Sequence, residues 1–484
     1  MTLARHRQNC KTRVKRTVEI SSTRKQNKRR RHLLLDDRVV ADTSNAELTL
    51  GTTKKNRANP LVGEDRPWEK RFDNVYANVI FDDEEQLYKV WYSPFIVDHS
   101  AKGMSAKQWN ETKYQAPVDR EMAICYATST DGLQWTKPDL GIVEYEGNRT
   151  NNILSRGSGG TRSSQSGPHG TGIFKDYLDP DPESRYKALL KFETLSVAFS
   201  RDGVLWDSPI ACSEANSAGD THNNAFWAPT LGKYVGITRQ WSATFQRQVA
   251  RTSSHDFVTW EETKVVLVGL DERYQTYAMP VFFHGGVYIG LLAIHDQVSD
   301  RVWTELSWSP DTTSWHRVLP GTPFIRNGKN EGDYDWGCVF PAASPIFEKD
   351  KIRIYYGGND GLHTSWRNGY FCLATLRPDG FAGYKPEDSI NHALVTTTSL
   401  FHTYDVLRVT ADIQTGGELV VRALSEERQV LAESEPLTSS VTDAEVRWRD
   451  STKLIAVKRD AIQIQFAFRR ATIYSFSMSD RKNT

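Results

Sequence analysis

Ser129-Thr130-Asp131-Gly132-Leu133-Gln134-Trp135 closes a run of alternating apolar and polar residues, and the chain returns to this turn four more times. The later copies are Ser200-Arg201-Asp202-Gly203-Val204-Leu205-Trp206, Ser254-His255-Asp256-Phe257-Val258-Thr259-Trp260, Ser309-Pro310-Asp311-Thr312-Thr313-Ser314-Trp315 and the decayed Arg377-Pro378-Asp379-Gly380-Phe381. Asp and Ser side chains cap backbone N–H groups in a tight turn, Gly supplies positive φ, and the Trp leads the next strand. Each copy follows a strand pattern, as in Met122–Thr128, Ser196–Phe199, Gln248–Thr252, Thr304–Trp308 and Tyr370–Thr375. The aromatic positions recur about 54 to 71 residues apart, which suits four-stranded units repeated around an axis. The pattern predicts an all-β chain, a five-bladed β-propeller.

The 14 Trp and 19 Tyr exceed ordinary usage, and many of them stand in the repeated turns, where they serve packing. Lys+Arg of 61 against Asp+Glu of 60 leaves +1, so no general electrostatic footprint for nucleic acid is present. Cys10, Cys125, Cys212, Cys338 and Cys372 form no CxxC pair and are odd in number, which indicates neither a zinc site nor a disulfide framework. No apolar run is long enough to span a membrane, and no signal-peptide pattern is written here, so the default location is cytoplasmic.

Residues 1–31 carry twelve Lys/Arg against the single acid Glu19, and read as a disordered basic tail. Residues 32–390 are assigned to the propeller. Its blades open at Val75–Phe81, Gly172–Phe174, Ala225–Trp227, Ala278–Phe283 and Gly337–Phe340. Residues 391–484 lack the repeat. Short alternating stretches such as Leu407–Ala411, Glu418–Ala423, Ala444–Trp448 and Ile462–Phe468 predict a small C-terminal β-sandwich.

In an up-and-down blade, the entry to the innermost strand and the loop between the second and third strands share one face, and the repeated turns lie on the other. The entries read Arg71-Phe72-Asp73-Asn74, Pro168-His169-Gly170, Gly219-Asp220-Thr221-His222-Asn223-Asn224, Tyr274-Gln275-Thr276-Tyr277 and Glu331-Gly332-Asp333-Tyr334-Asp335-Trp336. The loops add Arg120, Glu121, Arg239, His363 and Arg367. An acidic, amide-rich and aromatic rim of this kind suits a carbohydrate. Glycosidic cleavage needs two carboxyl groups, one protonated and one ionised. The candidates are Asp73 as base or nucleophile, with Glu331 favoured as acid over Asp220 and Asp335. Asn74, Arg120, Glu121, His169, His222, Asn223, Arg239, Gln275, Tyr277, Trp336, His363 and Arg367 are the expected substrate contacts, with His222 orienting Asp220. No residue has a metal-ligand spacing, so no metal or cofactor is expected, a structural cation on the axis being the open alternative.

Five blades followed by a C-terminal sandwich resemble the invertase, fructan-hydrolase and arabinanase group of glycoside hydrolases. Leu34-Leu35-Asp36-Asp37, the run Asn59-Pro60-Leu61-Val62-Gly63-Glu64-Asp65-Arg66-Pro67-Trp68-Glu69, Gly219–Asn224 and Tyr334-Asp335-Trp336-Gly337 look more closely like the uncharacterised sucrase-like glycosyl hydrolases, over roughly residues 32–480. The resemblance implies the base or nucleophile at Asp73. The second-blade Arg-Asp-Pro of invertases is absent, with His169-Gly170 in its place, and the third-blade Glu-Cys is replaced by Asp220-Thr221-His222. The expected activity is a glycosidase acting on a furanoside-containing or algal/plant oligosaccharide or polysaccharide. The alternatives are a non-catalytic glycan-binding propeller, or a phosphorylase or lyase whose Arg120, Arg239 and Arg367 hold phosphate or a uronate. Oligomeric state is not legible.

Overall fold

The computed structural model describes residues 30–100, 104–105, 108, 111–117, 119–157, 168–388, 390–401, 405–452 and 460–480. The basic segment 1–31 lies outside them up to residue 29, and Cys10 with it. Arg30 and Arg31, read as the end of that tail, belong instead to the strand Arg30–Leu33, paired with Ser475 to Met478. Among the described residues the fold is all-β, with two three-residue 3-10 turns at Pro182–Ser184 and Ser213–Ala215. No helix among them is long and apolar enough to cross a membrane.

The strands form antiparallel units that repeat one order, inner to outer. The first contains Asn78–Asp82, Leu87–Tyr92, Glu121–Ser129 and Ile153–Arg156. The second contains His169–Lys175, Tyr186–Lys191, Leu195–Ser200 and Ile210–Ala211, and the third Asn224–Ala228, Lys233–Trp241, Arg247–Ser254 and Lys264–Leu267. In the fourth, Tyr274–Ala278 and Val281–His284 precede Val287–Asp296, Arg301–Ser309 and His316–Val318. The last runs from Cys338–Pro341 through Ile352–Asn359 and Gly369–Leu376 to Lys54–Lys55, which comes from the other end of the chain.

Successive units are joined by hydrogen bonds. Asn78 Nδ2 donates to the Thr171 carbonyl (2.7 Å), and its Oδ1 accepts from Ile173 N (2.9 Å). Asn223 N donates to Gly170 O, and Asn224 Oδ1 accepts from Val281 N. Val302 pairs with Cys338, and Ala343 N donates to Ala77 O, returning to the first unit. The Asn side chains supply donors and acceptors where the diverging strands no longer satisfy one another.

The repeated turn is capped as its composition requires. Ser129 Oγ accepts from Gly132 N at 2.8 Å, and Asp131 Oδ1 accepts from Leu133 N and Gln134 N, both at 2.8 Å. Asp202, Asp256 and Asp311 make the same pair of contacts. The residue after each Asp is left-handed: Gly132 at φ 70°, Gly203 at 79°, Phe257 at 63° and Thr312 at 70°. The fifth copy differs. Arg377 stands where the Ser would be, and Asp379 turns its carboxylate to Arg31 Nη1 (2.9 Å), His284 Nε2 (2.7 Å) and Ser475 Oγ (2.7 Å). That turn therefore joins the repeated units to the rest of the chain.

The remaining strands form one hydrogen-bonded sheet of ten. Val406–Leu424 and Ala461–Ser479 are single 19-residue strands, where the sequence suggested short ones. Between them the register shifts from Ile413 to Glu418, around Gly416 and Gly417. The sheet also takes Val40–Ser44, Ala46–Leu50, Ala382–Pro386 and Ala393–Thr397. Residues 30–50 thus pair with the C-terminal strands, not with the repeated units to which the sequence assigned residues 32–50. Burial divides the segment: Leu34 shares an apolar core with Val395, Phe466, Phe468 and Phe476, while Leu33 and Leu35 pack with Phe282, Ile289 and Val339 of the repeated units.

Gly203 and Gly232 test the turn. Both are left-handed, but a Cβ on Gly203 would stand 2.6 Å from the buried Trp91 ring, whereas one on Gly232 meets nothing within 4 Å. Gly232→Ala should cost about 1 kcal/mol, the backbone penalty alone. Gly203→Ala should cost roughly 2–4 kcal/mol once overpacking is added. Urea denaturation of the two variants checks the order.

Candidate active site

The entry to the first unit is wound tightly. Asp73 (φ 51°), Val75 (φ 62°) and Tyr76 (φ 45°) are all left-handed, a conformation that a β-branched Val adopts only when its surroundings impose it. Asn359 Nδ2 donates to Asp73 O at 2.7 Å, and Ser93 N donates to Val75 O at 2.8 Å. Glu64 Oε1 accepts from Phe72 N (2.6 Å) and from Gly369 N (3.0 Å), tying the segment before Asp73 to the one after Arg367. Burial pushes the Glu64 carboxyl up to about 7, against these two N–H groups.

Asp73 stands between two guanidinium groups. Arg71 Nη2 and Arg367 Nη2 approach its Oδ1 at 2.7 and 2.8 Å, and its side chain keeps 16% of its surface exposed. Burial opposes ionisation, yet Arg71, Arg367, Arg120 and His169 together hold the carboxyl below its ordinary range. Arg367 also donates to Asn74 Oδ1, whose Nδ2 donates to the Tyr76 and Tyr277 hydroxyls. Asn74 is buried and fully engaged, so it positions the site and is not free for a ligand.

Asp220, from the third unit, is 40% exposed. His169 Nε2 lies 3.3 Å from its Oδ1, and Arg239 Nη1 lies 3.5 Å from its Oδ2. Burial again pushes up, and His169 and Arg239 bring its carboxyl well below the usual range. Tyr76 links the two acids: its ring packs on His169 (5.4 Å) and His222 (5.2 Å), and its hydroxyl feels the charges of both Asp73 and Asp220. The histidine that orients Asp220 is therefore His169. His222, expected in that role, is buried against Asn78 Oδ1 at 3.3 Å, and burial brings it down to about 3, so it is neutral at any working pH.

Arg239 Nη2 donates to Tyr277 O at 2.6 Å, and its guanidinium lies over the Tyr277 and Trp241 rings. Gln275 accepts from Arg247 Nη1 at 3.3 Å. His363 packs on Tyr277 (4.9 Å) and on His295 (4.2 Å), whose Nδ1 accepts from Gln297 Nε2 and whose Nε2 donates to Asp300 Oδ1 at 2.9 Å. His295, Asp300 and His363 bring ligand-capable atoms within 4.8 Å of one another. Arg367, Arg247 and Arg239 lie close enough to lower the His363 proton affinity further after burial, and the same charges oppose a cation there.

Other candidates fall elsewhere. Glu331 is exposed on its loop. Asp335 is buried, accepts from Tyr356 OH at 2.8 Å and pairs with Lys55 Nζ at 2.5 Å, which fixes the closing strand to its unit. Glu121 forms a two-point pair with Arg156 (2.7 and 2.6 Å). Asn223 spends its amide on Gly170 O and Gly219 O, and Trp336 lies under the Arg301 guanidinium. Arg120 stacks on Phe95 at 4.6 Å and reaches Asp73 only by its charge. Sequence reasoning passed over Arg247 and Tyr76. Arg247 pairs across the strands with Trp241, which places it on the same face as Arg239, but that register is visible only once the hairpin length is known.

No protein-family model matches the chain, and no curated protein matches it. Solved structures overlap it in part. One, from a mannoside phosphorylase family containing glycoside hydrolases that target β-1,2 mannosidic linkages, is 16% identical with a TM-score of 0.47, over 68% of this chain and 95% of that one. A glycosyl hydrolase from Bacteroides ovatus is 16% identical (TM-score 0.46; 67% and 94%). A β-1,2-mannobiose phosphorylase from Listeria innocua is 11% identical (TM-score 0.47; 67% and 97%). At this extent of overlap, function rests on the site itself.

Arg367 favours the ionised form of Asp73, so its removal must raise the Asp73 pKa. In Arg367→Gln, the ¹³C-carboxyl titration of Asp73, assigned by difference with Asp73→Asn, should move to higher pH. An unshifted midpoint in a folded variant contradicts the assigned pairing.

Proposed function

We propose that the repeated units are the blades of a five-bladed β-propeller, that residues 30–50 belong with the C-terminal β body, and that the chain is a carbohydrate-active enzyme whose active site is the mouth of the propeller axis. The observation that carries this reading is the convergence of Asp73 and Asp220, from two separate blades, on one aromatic wall made by Tyr76 and His169. Two partly exposed carboxylates that both act on one tyrosine hydroxyl suit an oxocarbenium-like centre in this reading: one stabilises developing positive charge or attacks it, the other works through its partner.

Asp73 is the nucleophile or base in this reading. It is ionised, held by Arg71 and Arg367 and fixed by a strained backbone, so it loses little freedom on reaction. Asp220 with His169 is the proton-handling pair, and it replaces Glu331 and Asp335 in that role. An aspartate held well below its ordinary range does not carry the proton by itself, so the imidazole beside it is given that task in this reading. Glycoside hydrolysis is the reaction proposed, on an oligosaccharide or polysaccharide. Phosphorolysis is the second reading, favoured by the guanidinium groups of Arg71, Arg239, Arg247 and Arg367 around the mouth, because it needs a bound anion in place of a second carboxylate.

A panel of plant and algal oligosaccharides, offered with and without inorganic phosphate, tests the reading. Asp73→Asn should fold normally and lose turnover by about a thousandfold or more. Asp220→Asn and His169→Ala should give similar losses to one another, since each removes the same pair. Full activity in a folded Asp73→Asn excludes the assignment.

A further inference from the structure

Charge at the mouth is unbalanced. Arg71 and Arg367 share Asp73, Arg71 Nη1 also has Asp98 at 4.0 Å, and Arg239 has Asp220 at 3.5 Å, which leaves Arg247 over. Arg247 has no carboxylate within 4.0 Å among the described residues; its Nη1 donates to a neutral amide, Gln275 Oε1, at 3.3 Å. Its Nε is buried without a partner, and so is the Nε of Arg239. The two guanidinium groups lie over the same pair of rings, Arg239 at 4.7 Å from Tyr277 and 5.3 Å from Trp241, and Arg247 at 5.2 and 5.1 Å from them. His363 Nδ1, whose ring packs on Tyr277, is also buried without a hydrogen bond, Asp300 Oδ1 standing 3.9 Å away.

Two like charges held side by side under an aromatic cover repel each other, and an unpaired buried guanidinium is costly. Cation–π contacts with Tyr277 and Trp241 offset part of that cost only. A planar or tetrahedral oxyanion restores the balance, because an Arg fork donates two parallel hydrogen bonds to it. A neutral sugar hydroxyl does not. Trp241, 39% exposed beside the pair, offers a face on which a pyranose or furanose ring can stack.

We infer that Arg239 and Arg247, roofed by Trp241 and Tyr277, form an oxyanion subsite of the mouth. The anion is either inorganic phosphate acting as co-substrate or the carboxylate of an acidic sugar unit. The site itself follows from charge and burial; only the choice of sugar probes rests on the carbohydrate reading above.

Calorimetric titration of the full chain at constant ionic strength tests it, with sodium phosphate, sodium galacturonate and neutral methyl galactoside as probes. At least one of the two anions should bind and the neutral sugar should not. Arg247→Gln should weaken that binding by about tenfold or more, the loss expected of a charge-assisted contact. Arg247→Lys, which keeps the charge without the fork, should weaken it less, and it supplies the test if the Gln variant fails to fold. Phosphate binding alone assigns the site to a free co-substrate; galacturonate binding alone assigns it to the sugar. Binding of neither anion, or equal binding by wild type and a folded Arg247→Gln, overturns the inference. An Asp73→Asn protein that retains catalysis while still binding the anion overturns the catalytic assignment and leaves this one standing.

Discussion

Lys54–Lys55 pairs with Ala374 and Thr375, and this short ladder makes the outer edge of the last unit out of the first part of the chain. Everything between, from residue 56 to the last inner strand, is held inside that closure. The segment that follows it crosses from the last unit to the first, and its side chains are spent on the crossing. Asn59 exchanges hydrogen bonds with Leu373 through both its amide atoms. Glu64 joins Phe72 N to Gly369 N, and Glu69 binds Lys137 and Tyr92. A cycle of sheets without such a lock would leave one unit short of a strand and its edge exposed.

The lock and the site share residues. Glu64 fixes the backbone on which Asp73 turns and the first residue of the strand Gly369–Leu376, two residues after Arg367, so this link helps set the distance between the carboxylate and its guanidinium partner. Lys55, from the closing strand, neutralises Asp335 in the same region. This explains why the run 59–69, rich in turn formers and acids, reads as a motif although none of its side chains faces the mouth as a ligand would. Its acids serve the closure, and the chemistry is left to residues that closure brings together.

Electrostatics at the mouth follow from the same crowding. Guanidinium groups from the first, third and last units gather around Asp73 and Asp220, and Arg247 among them has no carboxylate within 4.0 Å among the described residues. The consequence is that the carboxyls of Asp73 and Asp220 are held below their ordinary range despite burial. The His169 ring, 3.3 Å from Asp220 and packed on Tyr76, is the neighbour to which the proposed proton transfer is assigned.

Local chemistry was legible in the sequence and long-range pairing was not. The turn Ser-x-Asp-Gly-x-x-Trp announced itself because its caps act over two and three residues, and a periodic recurrence of such turns requires repeated hairpins. The same locality misled at Asp379, where the missing Ser frees the carboxylate for Arg31 and Ser475. Asp73, Asp220, Arg239 and Arg367 could be named as rim residues from their place before or after a strand. Which of them meet depends on left-handed backbone at Asp73 and Val75, on strand register at Trp241 and Arg247, and on a ring closed by residues more than three hundred positions apart. Those are properties of tertiary contacts: residues 30–50 pair with strands 330 to 450 residues later because a shared apolar core rewards it, and no pattern within either segment encodes its partner.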